Sequence, residues 1–233
     1  MMARSNYLLL ALLTLGLLTM SAAQAASITN GDFQTCDFRG WQKDTDGLGD
    51  PGATGDFAIA MDAGDCSAQI RVDDFATTTA FSANTLFTEL DLSANPGDQL
   101  RLSFDWDFFG TDGDPWSGDF FQVGLGDGSG YLFDANGQIG TLLESPTTGM
   151  SSYGSGHFSA YLDDVFFNQP GWFLDFTVNE GFAFNPEPLA STLEIDNVAL
   201  TQVSAELPET GGLLLMLTGL MGLAWVRKGG AQS

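Results

Sequence analysis

The chain has one histidine, His157, and only seven basic residues to set against 30 acidic ones. The formal net charge is therefore −23, and a surface that negative repels nucleic acid and anionic lipid. Neither is expected as a partner. The single histidine also removes most catalytic and metal-ligand patterns, because each would have to be built on His157. No nucleophile elbow, phosphate loop or zinc-ligand spacing occurs, so catalysis is not expected, and His157 reads as a polar loop side chain. Helical periodicity and internal repeats are missing from the body of the chain.

Cysteine is scarce too: Cys36 and Cys66 are the only two. The first 25 residues say where they fold. Arg4 stands in a short basic start, an apolar run extends over residues 7–20, and Ala23, Gln24 and Ala25 form a small-x-small cleavage site. That order is a secretory signal peptide, residues 1–25, and it is too short and too small-ended for an anchor. In the oxidising compartment beyond the membrane, Cys36 and Cys66 are expected to pair. The bridge would close a loop worth about 3–4 kcal/mol on the chain-entropy model.

What remains is a body, residues 26–204, long enough for one domain with its own core. It holds 28 of the carboxylates against Arg39, Lys43, Arg71 and Arg101, a net charge near −24. Aspartate outnumbers glutamate 23 to 7 and often stands beside glycine. Such pairs are turn chemistry, because Asp accepts from its own backbone and Gly tolerates positive φ. Oxygen-rich loops of this kind also suit calcium, and both readings stay open.

Alternation with period two recurs along the body. In QLRLSFDWDFFG, Leu100, Leu102, Phe104, Trp106 and Phe108 share one face, opposed by Arg101, Ser103, Asp105 and Asp107. GWFLDFTVNEG repeats the pattern with Trp172, Leu174, Phe176 and Val178. Shorter candidates are AQIRVDD, LFTELDLS, FFQVGL, HFSAYLDD and STLEIDNVALTQV, separated by GTDGDPWSGD, GDGSG, DANG and NQPG. Many short strands with Gly/Asp turns predict an all-β, antiparallel sandwich of jelly-roll type.

The ends of the body carry a resemblance. ITNGDFQTCDFRGWQ opens it and STLEIDNVALTQV closes it, and together they resemble jelly-roll carbohydrate-binding modules and their galactose-binding-like relatives. The resemblance implies that the first and last strands are neighbours and that Asp32 and Asp196 lie near a structural calcium ion. Gln34 stands where that pattern has glutamate. The alternative is that Asn30, Gly31, Asp196 and Asn197 only shape turns. Residues 28–202 are also similar to bodies found upstream of PEP-CTERM sorting tails in exported bacterial proteins.

The C-terminus agrees with that similarity. A linker and motif (205–210) precede an apolar stretch (211–226) that would rise about 24 Å as a helix, slightly short of a bilayer core. Arg227 and Lys228 follow as a membrane stop within the basic tail, 227–233. Leu207, Pro208, Glu209, Thr210 and Gly211 match the LPXTG signal of sortases. The same stretch resembles a PEP-CTERM signal, with Pro208 and Glu209 for its Pro-Glu-Pro and GLMGL at 219–223 for its core; Thr210 replaces the second proline. The compact spacing to Arg227 favours PEP-CTERM, with sortase anchoring as the alternative. Either implies an exosortase-like or sortase processing enzyme as partner, a transient hold in the cytoplasmic membrane, and a mature domain at the cell surface or released.

Two functions follow as expectations. The PEP-CTERM resemblance implies a non-enzymatic envelope or matrix protein associated with exopolysaccharide or biofilm. The alternative is a secreted, calcium-assisted carbohydrate-binding module. Trp41, Trp106, Trp116 and Trp172 are the candidates for stacking on sugar rings. Trp106 and Trp172 fall on inward phases, so Trp116 is expected to be the exposed one, with Asp112 and Asp114 beside it as a loop-borne binding surface.

Overall fold

The longer strands form where the alternating phases predict them. A computed structural model of the chain describes residues 27–46, 49–72, 82–111, 118–145, 153–181 and 189–203. The expected signal peptide, the expected sorting motif at 207–211, the apolar stretch, Arg227 and Lys228 lie outside the described residues, as do Asp112, Asp114 and Trp116. No helix of the described residues is long and apolar enough to cross a membrane.

Among the described residues eleven strands occur, in the order β1 (Gln42–Thr45), β2 (Phe57–Asp62), β3 (Asp65–Val72), β4 (Ala83–Glu89), β5 (Gln99–Thr111), β6 (Phe120–Gly126), β7 (Leu132–Phe133), β8 (Leu143–Glu144), β9 (Gly154–Leu162), β10 (Phe173–Asn179) and β11 (Leu189–Val203). A single 3-10 turn, Asp164–Phe166, is the only helical element among the described residues. Six strands make one sheet in the order β1-β4-β10-β6-β7, with β8 also paired to β6. Five make the other, β2-β3-β11-β5-β9. Every pairing is antiparallel. From β3 onward the chain crosses to the other sheet at every step except along β6, β7 and β8, which stay together in the six-stranded sheet, so the fold is the expected sandwich of jelly-roll type.

The core lies between the inner faces. From β5 come Leu100, Leu102, Phe104 and Phe108, all fully buried, facing Leu174, Phe176 and Val178 of β10 and Phe121, Val123 and Leu125 of β6. Phe104 stacks on Phe158 at 4.8 Å and meets Phe176 edge-on at 5.0 Å. Each such side chain stabilises the fold by about 1.5–3 kcal/mol relative to exposure. Trp106 packs against Phe121 and Trp172 against Phe166, both half-buried on the core side as their phases predict. Trp41 is not a stacking platform: it is 7% exposed, lies on Phe33 and donates from Nε1 to the Asn30 carbonyl at 3.1 Å.

The opening segment departs from its expectation. Residues 29–40 form successive turns instead of a strand, with Asn30, Phe33 and Cys36 at positive φ. Such φ values disfavour L-residues, and three ties hold the segment against that cost. Phe33 is fully buried, Cys36 is disulfide-bonded to Cys66, and Val198 donates to the Gly31 carbonyl at 2.8 Å. Gly31 passes so close to β11 that an added Cβ would stand 2.0 Å from the Val198 carbonyl oxygen. The first strand, β1, lies in the opposite sheet from β11, whose neighbours are β3 and β5. The disulfide, as expected, joins the opening to β3.

The Asp-rich turns are built as turns. Asp32, Asp37, Asp50, Asp91, Asp127, Asp134 and Asp163 each accept, through Oδ1, the N–H of the residue two positions on, at 2.8–3.3 Å. Hydrogen bonding to the ionised form holds the carboxyls of Asp37, Asp91, Asp127 and Asp134 below their ordinary range.

Candidate functional site

A strand that buries one face leaves the other free to work. On β4 the inward residues are Asn84, Leu86 and Thr88, which puts Thr85 and Phe87 outside. On β10, Leu174, Phe176 and Val178 point in, so Phe173, Asp175 and Thr177 point out. Antiparallel register aligns these rows: Asp175 pairs with Phe87, and Thr177 with Thr85. Phe87 and Phe173 meet edge-on at 5.8 Å, and the two threonine hydroxyls are 2.9 Å apart. The outer face of the six-stranded sheet thus carries an aromatic pair, a hydroxyl pair and a carboxylate within one patch.

Glycine makes the patch concave. On β6 the outward positions beside β10 are Gly124 and Gly126. Leu132 folds over the first, where a Cβ would meet the Leu132 Cβ at 2.7 Å. The carboxylate of Asp175 lies over the second, with Oδ2 only 2.6 Å from where a Gly126 Cβ would stand. The turn of Gly128 and Gly130 then raises Tyr131 as a wall, 59% exposed. Asp44, on the edge strand β1, stands at the far side. The cavity is about 420 Å³, lined by Asp44, Phe87, Tyr131, Leu132, Phe173 and Asp175 among others, with no lysine or arginine among its described lining residues.

Asp175 is the unusual group here. Burial pushes its carboxyl up to about 6, and no hydrogen bond or ion pair from the described residues offsets that. A half-buried carboxylate without a partner is costly to the fold. Its surroundings, two aromatic edges and two hydroxyls in a concave patch, are those of a small-molecule subsite.

The outer face of the other sheet mixes exposed aromatics, Phe109 and Tyr161, with hydrogen-bonded polar side chains. Glu194 accepts from Ser67 at 2.6 Å and from Gln69 at 2.8 Å. Burial and, across the β5–β11 register, the charge of Glu194 raise the Asp107 carboxyl. His157 lies on strand β9 and not in a loop, opposite Asp105, and the two side chains meet at 2.7 Å. That hydrogen bond, with a second from Asn197, lowers the Asp105 carboxyl.

Asp32 and Asp196 were expected near a calcium ion. Asp196 lies at an irregularity in β11, and burial, followed by the charges of Asp65, Asp105 and Asp32, raises its carboxyl. The side chain of Gln34 is engaged with Asp65. The acids are close enough to repel one another, yet no three His, Cys, Asp or Glu side chains among the described residues converge as metal ligands.

No family model and no curated protein matches the chain. Several solved structures are similar to parts of it at low TM-score. CBM27-1 of Caldicellulosiruptor saccharolyticus, solved with mannohexaose, is 12% identical over 78% of this chain and 98% of its own, with a TM-score of 0.42. The K3 cleaved adhesin domain of Lys-gingipain from Porphyromonas gingivalis w83 is 16% identical over 76% and 99%, TM-score 0.42. The enzymatically active domain of bacteriophage CBA120 tailspike protein 4 is 10% identical over 76% of this chain, TM-score 0.38, and this chain spans 21% of its length.

The loop of Asp112, Asp114 and Trp116, the binding surface expected from the sequence, lies outside the described residues, whereas Phe87, Phe173, Tyr131 and Asp175 were not among the sequence's candidates. The signal was available. Phe87 and Phe173 are large aromatics on the outward phase of strands whose inward phase is already filled.

Proposed function

We propose that the protein is a non-catalytic, exported glycan-binding module that takes a sugar chain across the outer face of its six-stranded sheet. The carrying observation is the concave patch in which Phe87, Phe173 and Tyr131 surround the unpartnered carboxylate of Asp175. Aromatic edges and faces complement the C–H surfaces of sugar rings, and the Asp and Thr oxygens suit their hydroxyls. Nothing in the cleft resembles a nucleophile and its base; the one histidine stands on the opposite sheet, paired with Asp105.

In this reading the tail serves delivery. A PEP-CTERM-like signal, processed by an exosortase-like enzyme, would release the domain into an envelope or extracellular matrix rich in polysaccharide; LPXTG cleavage between Thr210 and Gly211 is the alternative. Mass spectrometry of the protein from cells separates the two, since a terminus at Thr210 supports sortase and an intact Lys228 opposes processing of either kind. Calcium near Asp32 and Asp196 would relieve the repulsion around Asp196, and a calcium-dependent rise in melting temperature abolished by Asp196→Asn tests it.

Affinity electrophoresis of the exported protein through gels containing a polysaccharide panel tests the glycan reading. Retardation by at least one glycan, lost in Phe87→Ala and Phe173→Ala, is expected. Migration unaffected by every glycan would overturn it.

A further inference from the structure

The cleft has a charge pattern that a neutral sugar leaves unanswered. It contains two carboxylates, Asp44 and Asp175, three aromatic rings and no cation among its described lining residues. Asp44 is exposed and keeps its hydration, whereas Asp175 is half-buried, on the same face as Phe173 and opposite Phe87. A hydroxyl donating to Asp175 would satisfy one oxygen while leaving the charge uncompensated. An ammonium group would supply both a donor and the missing charge, and the rings of Phe87, Phe173 and Tyr131 would add cation–π attraction. A hexuronate would meet repulsion from both carboxylates.

We infer that the cleft selects an amino-sugar glycan, with a free sugar ammonium seated against the Asp175 carboxylate and the ring beside Phe87 and Phe173. This rests on the glycan-binding reading and narrows it to a substrate class. The position uses space that only glycine leaves: the carboxylate overlies Gly126, where any Cβ would displace it. The raised carboxyl of Asp175 gives the pairing a second signature. Near pH 6 part of the population is protonated, and seating an ammonium there expels that proton.

The test is isothermal titration of the full chain with hexamers of β-1,4-linked glucosamine, N-acetylglucosamine and glucose at pH 5.5, where the sugar amines are already charged and most of the Asp175 population still carries its proton. The glucosamine hexamer is expected to bind at least about tenfold more tightly than the other two. That preference should vanish in Asp175→Asn, along with the proton release seen by repeating the titration in buffers of different ionisation enthalpy. Because the whole surface is acidic, Asp62→Asn, an exposed change on the other sheet, serves as control and should leave the preference intact. Equal binding of all three hexamers, or a glucosamine preference that survives Asp175→Asn, overturns this inference and leaves the glycan reading standing. Binding of no hexamer, with no glycan retarding the protein in gels, removes both.

Discussion

Replacing Asp175 by asparagine keeps the shape of the side chain and deletes its charge, so the fold should become more stable at neutral pH. The magnitude follows from the carboxyl's rise from 3.8 to about 6 on folding. Folded protein binds that proton more tightly than unfolded protein does. Stability therefore falls as pH rises through the interval between the two values, and the full penalty is present above it. Each pH unit of separation is worth about 1.4 kcal/mol, which gives a penalty of about 3 kcal/mol at pH 7, about 1.5 at pH 5 and about 0.5 at pH 4. Partial exposure screens the charge and makes these upper values. The assay is urea denaturation of wild type and Asp175→Asn from pH 4 to 8, comparing midpoints at constant slope. Taking the difference between variants cancels the turn aspartates, whose depressed carboxyls act in the opposite direction as acid is added. The variant's advantage should grow with pH and level off above about 7. An advantage independent of pH, or a variant less stable than wild type at pH 7, would refute the argument that this carboxylate is held unpaired at a cost.

Other substitutions probe the scaffold and the site separately. Replacing Cys36 and Cys66 together by serine should cost about 3–4 kcal/mol in denaturation and abolish the mobility difference between reduced and non-reduced protein. Phe104→Ala removes a fully buried ring that stacks on Phe158, and it should destabilise by about 3–5 kcal/mol without altering which glycans are bound. Gly126→Ala puts a methyl where the Asp175 carboxylate lies; glycan retardation should weaken severalfold while the circular dichroism spectrum is retained. His157→Ala removes the hydrogen bond that lowers the Asp105 carboxyl, so the Asp105 resonance should titrate at higher pH, with glycan binding unchanged.

The strands most legible in the sequence are those with one wet and one dry face. QLRLSFDWDFFG reads as β5 because the odd positions from Gln99 to Asp107 repeat a polar residue over solvent, and the even positions from Leu100 to Phe108 face the core. STLEIDNVALTQV reads as a strand despite Asp196 and Asn197, and the structure places a register irregularity there. Strands β1, β2, β7 and β8 escape the same reasoning. They are short or lie at sheet edges, where QKDT and FAIAMD carry too few alternating residues to distinguish strand from loop. The opening segment misleads for a different reason: a disulfide, the buried Phe33 ring and a close approach of Gly31 to Val198 hold it in turns, and each is a long-range contact invisible to local pattern.

The cleft is hidden by a habit of reading outward positions as merely polar. In LFTELDLS and GWFLDFTVNEG the inward phases are complete without Phe87 and Phe173, so those rings are surplus to the core. What the sequence cannot supply is that β4 and β10 are neighbours in register, which brings the two rings to 5.8 Å and sets Asp175 opposite Phe87. Nor does it reveal that the glycines of FFQVGLG lie beside Asp175 and hollow the surface there. Tryptophan drew attention instead, and three of the tryptophans, Trp41, Trp106 and Trp172, serve packing.

The most direct measurement is a chemical-shift titration of isotopically labelled protein with a glycan that retards it in gels. The account predicts saturable shifts concentrated at Thr85, Phe87, Gly126, Tyr131, Phe173 and Asp175, with the five-stranded sheet unmoved. Saturable shifts centred on Asp105, His157 and Glu194, or at the sandwich ends, would contradict it.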